Sequence, residues 1–143
     1  MGNLLKTFFS TFALSVIIAG CGSDTETPAP AATASEAVKK AEYIKITPEK
    51  AREMINRGAV IVDVRTKDEY NEVHISGSVL LPVDDIKFLA PSVLPDKSAV
   101  ILVHCRSGIR SERAARMLLD MGYASVYDFG GIQNWPYDVV TGK

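Results

Sequence analysis

One short segment of the sequence combines a nucleophile with positive charge. Cys105 is followed by Arg106, Ser107 and Gly108, and Arg110 stands five residues after the cysteine. Positive charge beside a cysteine favours the thiolate over the thiol, and the thiolate is the nucleophilic form. Gly108 has no side chain, so the loop can curl and aim successive backbone N–H groups at one point. The segment therefore predicts a small anion-binding loop around a reactive sulfur.

The elements on either side of this segment place the cysteine where two effects add. Residues 99–103 form an apolar run that predicts a buried strand, and residues 111–121 carry the apolar stripe of a helix. Cys105 thus leaves a strand and precedes a helix N-terminus, where free N–H groups and the helix dipole stabilise an anion. A lone cysteine after a strand is more often a buried apolar residue. That alternative gives no reason for the two arginines nearby.

The other apolar runs indicate an open parallel sheet. Besides residues 99–103, strands are predicted at residues 43–46, 60–64, 78–81 and 125–129. Thr47 and Pro48 predict the start of a helix that ends at Gly58. Strands alternating with helices are typical of an α/β fold, here with a central parallel sheet of about five strands and helices on both faces. Ligands bind such sheets at the carboxyl ends of strands, which is where Cys105 lies.

Length and composition exclude several classes of protein. The chain has 143 residues, enough for one ordinary domain, and a net charge of −1. That charge balance argues against a nucleic acid as the main partner. An apolar content of 47% excludes disorder of the whole chain, and two cysteines are too few for a disulfide scaffold. Because the long apolar stretch is confined to residues 1–20, a polytopic membrane protein is excluded as well.

Residues 1–20 are predicted to be a lipoprotein signal peptide. Lys6 supplies a positive start, and residues 7–20 form an uncharged run with the length of a signal-peptide core. The run leads into Ile-Ala-Gly-Cys at residues 18–21, which resembles a bacterial lipobox. The resemblance implies cleavage before Cys21 and attachment of lipid to its sulfur. An ordinary secretory signal with an incidental cysteine is the alternative.

The predicted anchor also sets an expected location and the domain boundaries. Residues 21–42 comprise the lipidated cysteine and a linker rich in Pro, Ala, Thr and Ser, which is typical of a flexible tether. Residues 43–143 form the folded domain. The protein is expected to be an exported lipoprotein facing the periplasm. Gly22 stands where an aspartate would resemble an inner-membrane retention signal, so outer-membrane sorting is expected in a diderm host.

Four segments, in the right order, resemble the rhodanese (sulfurtransferase) family. They span most of residues 43–135, and the cysteine segment is similar to the active-site loop of that family. The matching residues, in chain order, are Asp63, Val64, Arg65, Glu69, Tyr70, His74, Ile75, Gly77, Pro82, Cys105 to Ser111, Gly130, Gly131, Ile132 and Trp135. Val73 and Ser76 replace a glycine and a proline that are usual in the family. Both departures concern the geometry of one turn more than the chemistry.

The resemblance implies a single rhodanese-like domain and a sulfur-transfer reaction. The Cys105 thiolate would attack the outer sulfur of thiosulfate or a similar donor and become a persulfide. An acceptor such as cyanide or a thiol would then remove that sulfur. The loop residues expected to bind the donor and the persulfide are Arg106, Ser107, Gly108, Ile109 and Arg110. Neither a metal nor an organic cofactor is expected, and a protein partner stays open.

Polar residues close to the cysteine are expected to be structural. Asp63 and Arg65 stand at the end of a predicted strand, and we interpret them as a polar cluster rather than as catalytic groups. His74 is interpreted as a structural histidine in a turn. His104 adjoins the nucleophile, but neighbouring residues of a strand face opposite sides, so its side chain is expected to point away.

Two other functions remain open at this point. Cysteine phosphatases and arsenate reductases of related folds use a Cys-x5-Arg loop, but here Arg110 is the fifth residue after Cys105 and Ser111 the sixth. The loop is therefore one residue short for wrapping a tetrahedral phosphate. A membrane-tethered persulfide carrier, or a partner-binding module of the same fold, would need the same cysteine. The rate of turnover against stoichiometric sulfur loading distinguishes a carrier from an enzyme.

Overall fold

The computed structural model describes residues 41–142, so the predicted signal peptide, Cys21 and most of the linker lie outside the described residues. Strands and helices alternate along the domain. In chain order they are β1 (Ile44–Lys45), α1 (Pro48–Ile55), β2 (Val60–Asp63), α2 (Lys67–Glu72), β3 (Val79–Leu80), α3 (Ile86–Val93), β4 (Val100–Cys105), α4 (Ile109–Asp120) and β5 (Ser125–Gly131), and a 3₁₀ turn (Ile132–Asn134) follows β5.

The strands form one parallel sheet in the order β1-β5-β4-β2-β3. The predicted α/β fold with about five parallel strands is confirmed. β4 lies at the centre of the sheet, between β5 and β2. Its carboxyl end therefore has a neighbouring strand on each side, and the loops that follow all three strands meet there.

Alternation along β4 divides the core into two layers. Ile101 and Val103 share one face with Cys105 and pack among buried residues of α3 and α4. Leu102 faces the other side, where it packs with Ala51 of α1. Helices therefore cover both faces of the sheet, as predicted, and Cys105 lies on the side that α4 covers.

The helix after the cysteine begins earlier than the sequence suggested. α4 starts at Ile109 instead of Ser111, because Gly108 adopts a left-handed conformation (φ +109°) and turns the chain directly into the helix. The Ser111 hydroxyl donates to the Gly108 carbonyl oxygen at 2.9 Å inside the first turn. The loop between Cys105 and the helix is consequently only three residues long.

Two helices, α2 and α3, were not predicted. α2 is six residues long, and all of its side chains are at least partly exposed, so it has no apolar stripe. A capping box holds it instead, in which Glu69 N–H donates to Thr66 Oγ1 and Thr66 N–H donates to Glu69 Oε2. α3 contains Pro91, and the side chain of Asp85 before it makes no capping hydrogen bond within the described residues. α3 therefore lacks the usual sequence signals of a helix, and the capping box is the one such signal of α2.

Among residues 41–142, no helix is long enough and apolar enough to cross a membrane.

Candidate active site

Three strand ends bring the predicted site residues together. β4 ends at Cys105, which pairs in register with Gly131 at the end of β5. On the other side of β4, His104 pairs with Asp63 at the end of β2. The cysteine, the glycine-rich segment after β5 and the polar residues after β2 thus share one edge of the sheet.

The sulfur of Cys105 lies at the bottom of the loop and is shielded from solvent. The residue is 0% exposed, and the Gly108 backbone N–H donates to Sγ at 3.0 Å. Burial by itself raises the pKa of the Cys105 thiol, because it removes water from the thiolate. Hydrogen bonds from the backbone of Gly108, Ser111 and Ser107 and from the Ser111 hydroxyl outweigh burial, so the pKa is lowered from its ordinary value. The site thus favours a buried thiolate.

Ser111 is a residue of this site whose role the sequence analysis did not assign. It is fully buried, and its hydroxyl lies 2.9 Å from the Gly108 carbonyl oxygen and 3.3 Å from that of Gly130. The hydroxyl has a single proton, so it stabilises the Cys105 thiolate when it turns from these carbonyl oxygens to the sulfur. A small polar residue in the first turn of an otherwise apolar helix face was the available signal.

The loop backbone is held from outside by Gly131. A methyl group at this position would clash first with the Arg106 carbonyl oxygen, and it would lie 2.8 Å from both the Arg106 carbonyl carbon and the Ser107 Cα, well inside normal contact distance. Gln133 N–H also donates to the Arg106 carbonyl oxygen, at 3.4 Å. The glycine thus allows β5 to pass directly behind the loop and fix its course.

The side chains of the loop differ in their surroundings. Arg106 and Ser107 are exposed, and Ile109 is 80% exposed despite being apolar. Arg110 is partly exposed, and its Nη1 and Nη2 donate to Glu69 Oε2 and Oε1 at 2.6 and 2.7 Å. No local sequence pattern indicates this ion pair, which joins residues 41 positions apart.

The ion pair changes the electrostatics of the loop. Hydrogen bonds from Arg110 lower the pKa of Glu69 to about 2, although partial burial opposes the shift. The same hydrogen bonds raise the pKa of Arg110. Both groups are therefore ionised at any ordinary working pH, and the charge of Arg110 is compensated by its partner.

Asp63 and Arg65 form a buried pair beside the loop. Arg65 Nη2 lies 2.6 Å from Asp63 Oδ2, and the same nitrogen donates to the Val73 carbonyl oxygen at 2.6 Å. The pair is almost fully buried, with exposures of 0% and 3%, and it ties the end of β2 to the segment after α2. This arrangement fixes the geometry of the frame around the site, and the two groups bind each other instead of a ligand.

The two histidines also serve the frame. His104 is fully buried on the face of β4 opposite Cys105, packs against Phe129, and lies with Nε2 3.6 Å from Asp63 Oδ2. Burial lowers the pKa of His104, so the ring is neutral. The His74 ring stacks on Tyr70, with 3.9 Å between ring centroids, and its Nδ1 is 2.9 Å from the Tyr70 carbonyl oxygen. Among residues 41–142, no group of three or more His, Cys, Asp or Glu side chains could hold a metal ion.

A buried thiolate on the central strand, cradled by backbone N–H groups before a helix N-terminus, can attack and then hold a small anionic group. On this fold and this site the chain belongs to the rhodanese-like domain family, whose model matches residues 47–137.

Named relatives make the class more specific. The thiosulfate sulfurtransferase PspE of Escherichia coli (strain K12) is 31% identical over 81 residues, which cover 57% of this chain and 78% of that protein. The thiosulfate sulfurtransferase GlpE of Coxiella burnetii (strain RSA 331) is 36% identical over 95 residues, covering 65% and 87%. A solved structure described as a rhodanese with anions from E. coli is 29% identical with a TM-score of 0.57, covering 59% of this chain and all of that one. These likenesses support a rhodanese-type transferase.

Proposed function

We propose that this protein is a sulfurtransferase that moves sulfane sulfur from thiosulfate, or a similar donor, to a thiophilic acceptor through a persulfide on Cys105. The observation that carries the proposal is the Sγ atom at the floor of the loop, 3.0 Å from the donating N–H of Gly108. The cradle stabilises the thiolate before the reaction, and it also suits the extra anionic sulfur that the cysteine would carry after the first step.

The first step loads the enzyme with sulfur. The Cys105 thiolate attacks the outer sulfur of thiosulfate, a new S–S bond forms, and the bond between the two sulfurs of thiosulfate breaks. Sulfite leaves with the electron pair of that bond, and the cysteine becomes a persulfide anion. The backbone N–H groups that lower the pKa of the thiol also favour this anion over its protonated form.

The second step returns the enzyme to its starting state. An acceptor such as cyanide attacks the outer sulfur of the persulfide, thiocyanate leaves, and the electron pair of the S–S bond remains on Sγ as the thiolate. Each step balances without an external oxidant or reductant. The cycle is ping-pong, since the first product leaves before the acceptor binds.

The ion pair of Arg110 argues against the phosphatase alternative. Both terminal nitrogens of its guanidinium are bonded to Glu69, at 2.6 and 2.7 Å. A cysteine phosphatase needs the arginine of its loop to bind the phosphoryl oxygens in a bidentate manner. Together with the short loop, this pairing favours sulfur over a tetrahedral phosphate.

Steady-state assays test the proposal. The purified protein should form thiocyanate from thiosulfate and cyanide, with parallel lines in double-reciprocal plots, and should not hydrolyse an aryl phosphate. Cys105→Ser should lose thiocyanate formation while keeping its circular dichroism spectrum and melting temperature. Cys21→Ser makes the same substitution at the other cysteine of the chain and should keep the activity. Sulfur transfer by the Cys105→Ser variant would overturn the proposal.

The expected location is a separate proposal, supported by the apolar run and the lipobox-like residues 18–21. We propose that the chain is exported, cleaved before Cys21 and lipidated there. Mass spectrometry of the protein extracted from its own host should show a lipid-modified N-terminal cysteine. An unprocessed N-terminus, or a processed one that carries no lipid, would contradict this proposal.

A further inference from the structure

We propose that Glu69 determines the donor specificity of the site, by favouring sulfur donors with one negative charge over donors with two. The inference rests on the proposed sulfur transfer and adds a substrate class to it. Glu69 does not react with the donor; it acts through Arg110, to which it is bound.

The geometry fixes Glu69 in place from two sides. Arg110 donates to both carboxylate oxygens, at 2.6 and 2.7 Å. Thr66 donates to Oε2 from its backbone N–H and from its hydroxyl, at 3.1 Å each, as part of the capping box of α2. The side chains of the Arg110–Glu69 pair are only 33% and 22% exposed. The carboxylate is therefore held near the loop, where water and salt screen it incompletely.

A count of charges shows what this carboxylate changes. Within residues 105–110 and their described partners, the thiolate of Cys105 carries one negative charge, and Arg110 is balanced by Glu69. Arg106 contributes the positive charge that remains, on an exposed side chain. A dianion such as thiosulfate thus approaches a loop that offers it little net attraction, whereas a loop without Glu69 would carry one more positive charge.

The size of the effect follows from Coulomb's law. For an anion bound on the side of the guanidinium away from Glu69, we take a separation from the carboxylate on the order of 8 Å for use in Coulomb's law. At an effective dielectric constant of about 40, each additional negative charge on the donor then weakens its binding about fivefold. The expected discrimination is therefore modest, but large enough to measure as a ratio of kcat/KM values.

Two donors isolate the charge from the chemistry. Thiosulfate and methanethiosulfonate each present an outer sulfur bonded to a sulfonyl sulfur, and they carry two charges and one charge, respectively. Attack by the Cys105 thiolate releases sulfite from the first and methanesulfinate from the second, with the same S–S bond formed and the same type of bond broken. The measured quantity is kcat/KM for thiosulfate divided by kcat/KM for methanethiosulfonate.

Two pairs of variants isolate the charge from the geometry. Wild type and Glu69→Gln differ in charge at one side-chain length, and Glu69→Asp and Glu69→Asn differ in charge at a shorter length. The ratio should rise about fivefold from the charged to the neutral member of each pair. The Asp–Asn pair provides the test if Glu69→Gln does not fold. Glu53→Gln removes a carboxylate that pairs with Lys50 on α1, and it should leave the ratio unchanged.

The outcomes separate this inference from the proposed function. Loading of Cys105 by both donors, with an equal ratio in the charged and neutral members of each pair, overturns the role of Glu69 alone. A ratio of kcat/KM values that changes with the length of the side chain at position 69 and not with its charge also overturns the role of Glu69. Failure of both donors to load Cys105 in the wild-type protein overturns the proposed sulfur transfer and, with it, this inference.

Discussion

Replacing Gly131 with alanine tests how the active-site loop is positioned. Gly131 has φ −110°, a value that any residue adopts, so the substitution adds no backbone strain of its own. The added methyl group would lie closest to the Arg106 carbonyl oxygen, and 2.8 Å from both the Arg106 carbonyl carbon and the Ser107 Cα. Gly131→Ala therefore acts on the site by pushing the loop backbone away from β5.

The distances give the size of that effect. Non-bonded carbon atoms prefer a separation of about 3.5–4.0 Å, so the loop must move by about 1 Å. Overpacking of this kind costs about 1–3 kcal/mol of stability. A displacement of about 1 Å in catalytic groups can lower the rate on the order of a hundredfold. Gly131→Ala should therefore fold, lose about 1–3 kcal/mol and lose about a hundredfold in kcat/KM for sulfur transfer.

Thiocyanate formation and chemical denaturation measure the two effects separately. Gly58→Ala is the matched control, because Gly58 follows α1, has φ +94° and has no described atom within 4 Å of the added methyl group. It should lose about 1–2 kcal/mol through backbone strain and keep its activity. A folded Gly131→Ala variant with the kcat/KM of the wild type would refute the reasoning about the loop.

Three further changes test polar groups around the sulfur. Asp63→Asn leaves the buried guanidinium of Arg65 without its carboxylate, so the free energy of unfolding should fall by about 3–5 kcal/mol in chemical denaturation. Ser111→Ala removes a hydrogen bond that lowers the pKa of the Cys105 thiol, so that pKa should rise in a pH titration of the alkylation rate. Hydrogen bonds from the Arg110 guanidinium lower the pKa of Glu69 from the ordinary 4.5 to about 2. The stability that the Glu69 carboxylate contributes is therefore complete above pH 4.5 and is lost as the pH falls toward 2. Glu69→Gln should flatten the dependence of the free energy of unfolding on pH between these two values.

The changes at Asp63 and Ser111 each have a control variant. Glu53→Gln breaks an exposed ion pair and should change the free energy of unfolding by less than about 1 kcal/mol, against the large loss at Asp63. Ser111→Thr keeps the hydroxyl, so it should leave the pKa of the Cys105 thiol closer to its wild-type value than alanine does. An unchanged alkylation profile in Ser111→Ala would remove this residue from the account.

The sheet was predictable because its strands carry a strong local signal. The buried strands β2 and β4 are nearly continuous apolar runs, and Cys105 ends the longer of them. The short helices were not predicted, since α2 has no apolar stripe and α3 contains Pro91. The Thr66–Glu69 spacing is that of a capping box and was the one readable sign of α2.

The site was predictable in its nucleophile and less so in its electrostatics. The reactive Cys105 and the loop of backbone N–H groups could be predicted, because the sequence shows a strand, a glycine and a helix in succession. The bond from Arg110 to Glu69 spans 41 positions and joins α4 to α2. The close approach of Gly131 to Arg106 is a product of the register between β4 and β5. Contacts between distant segments leave no mark on local sequence patterns.

The most direct test of the central claim is the mass of the full-length protein after incubation with thiosulfate, followed by mapping of the modified peptide. The protein should gain the mass of one sulfur atom, the added sulfur should map to Cys105, and cyanide should remove it with release of thiocyanate. A protein that gains no sulfur, or gains it at Cys21 alone, would contradict the account.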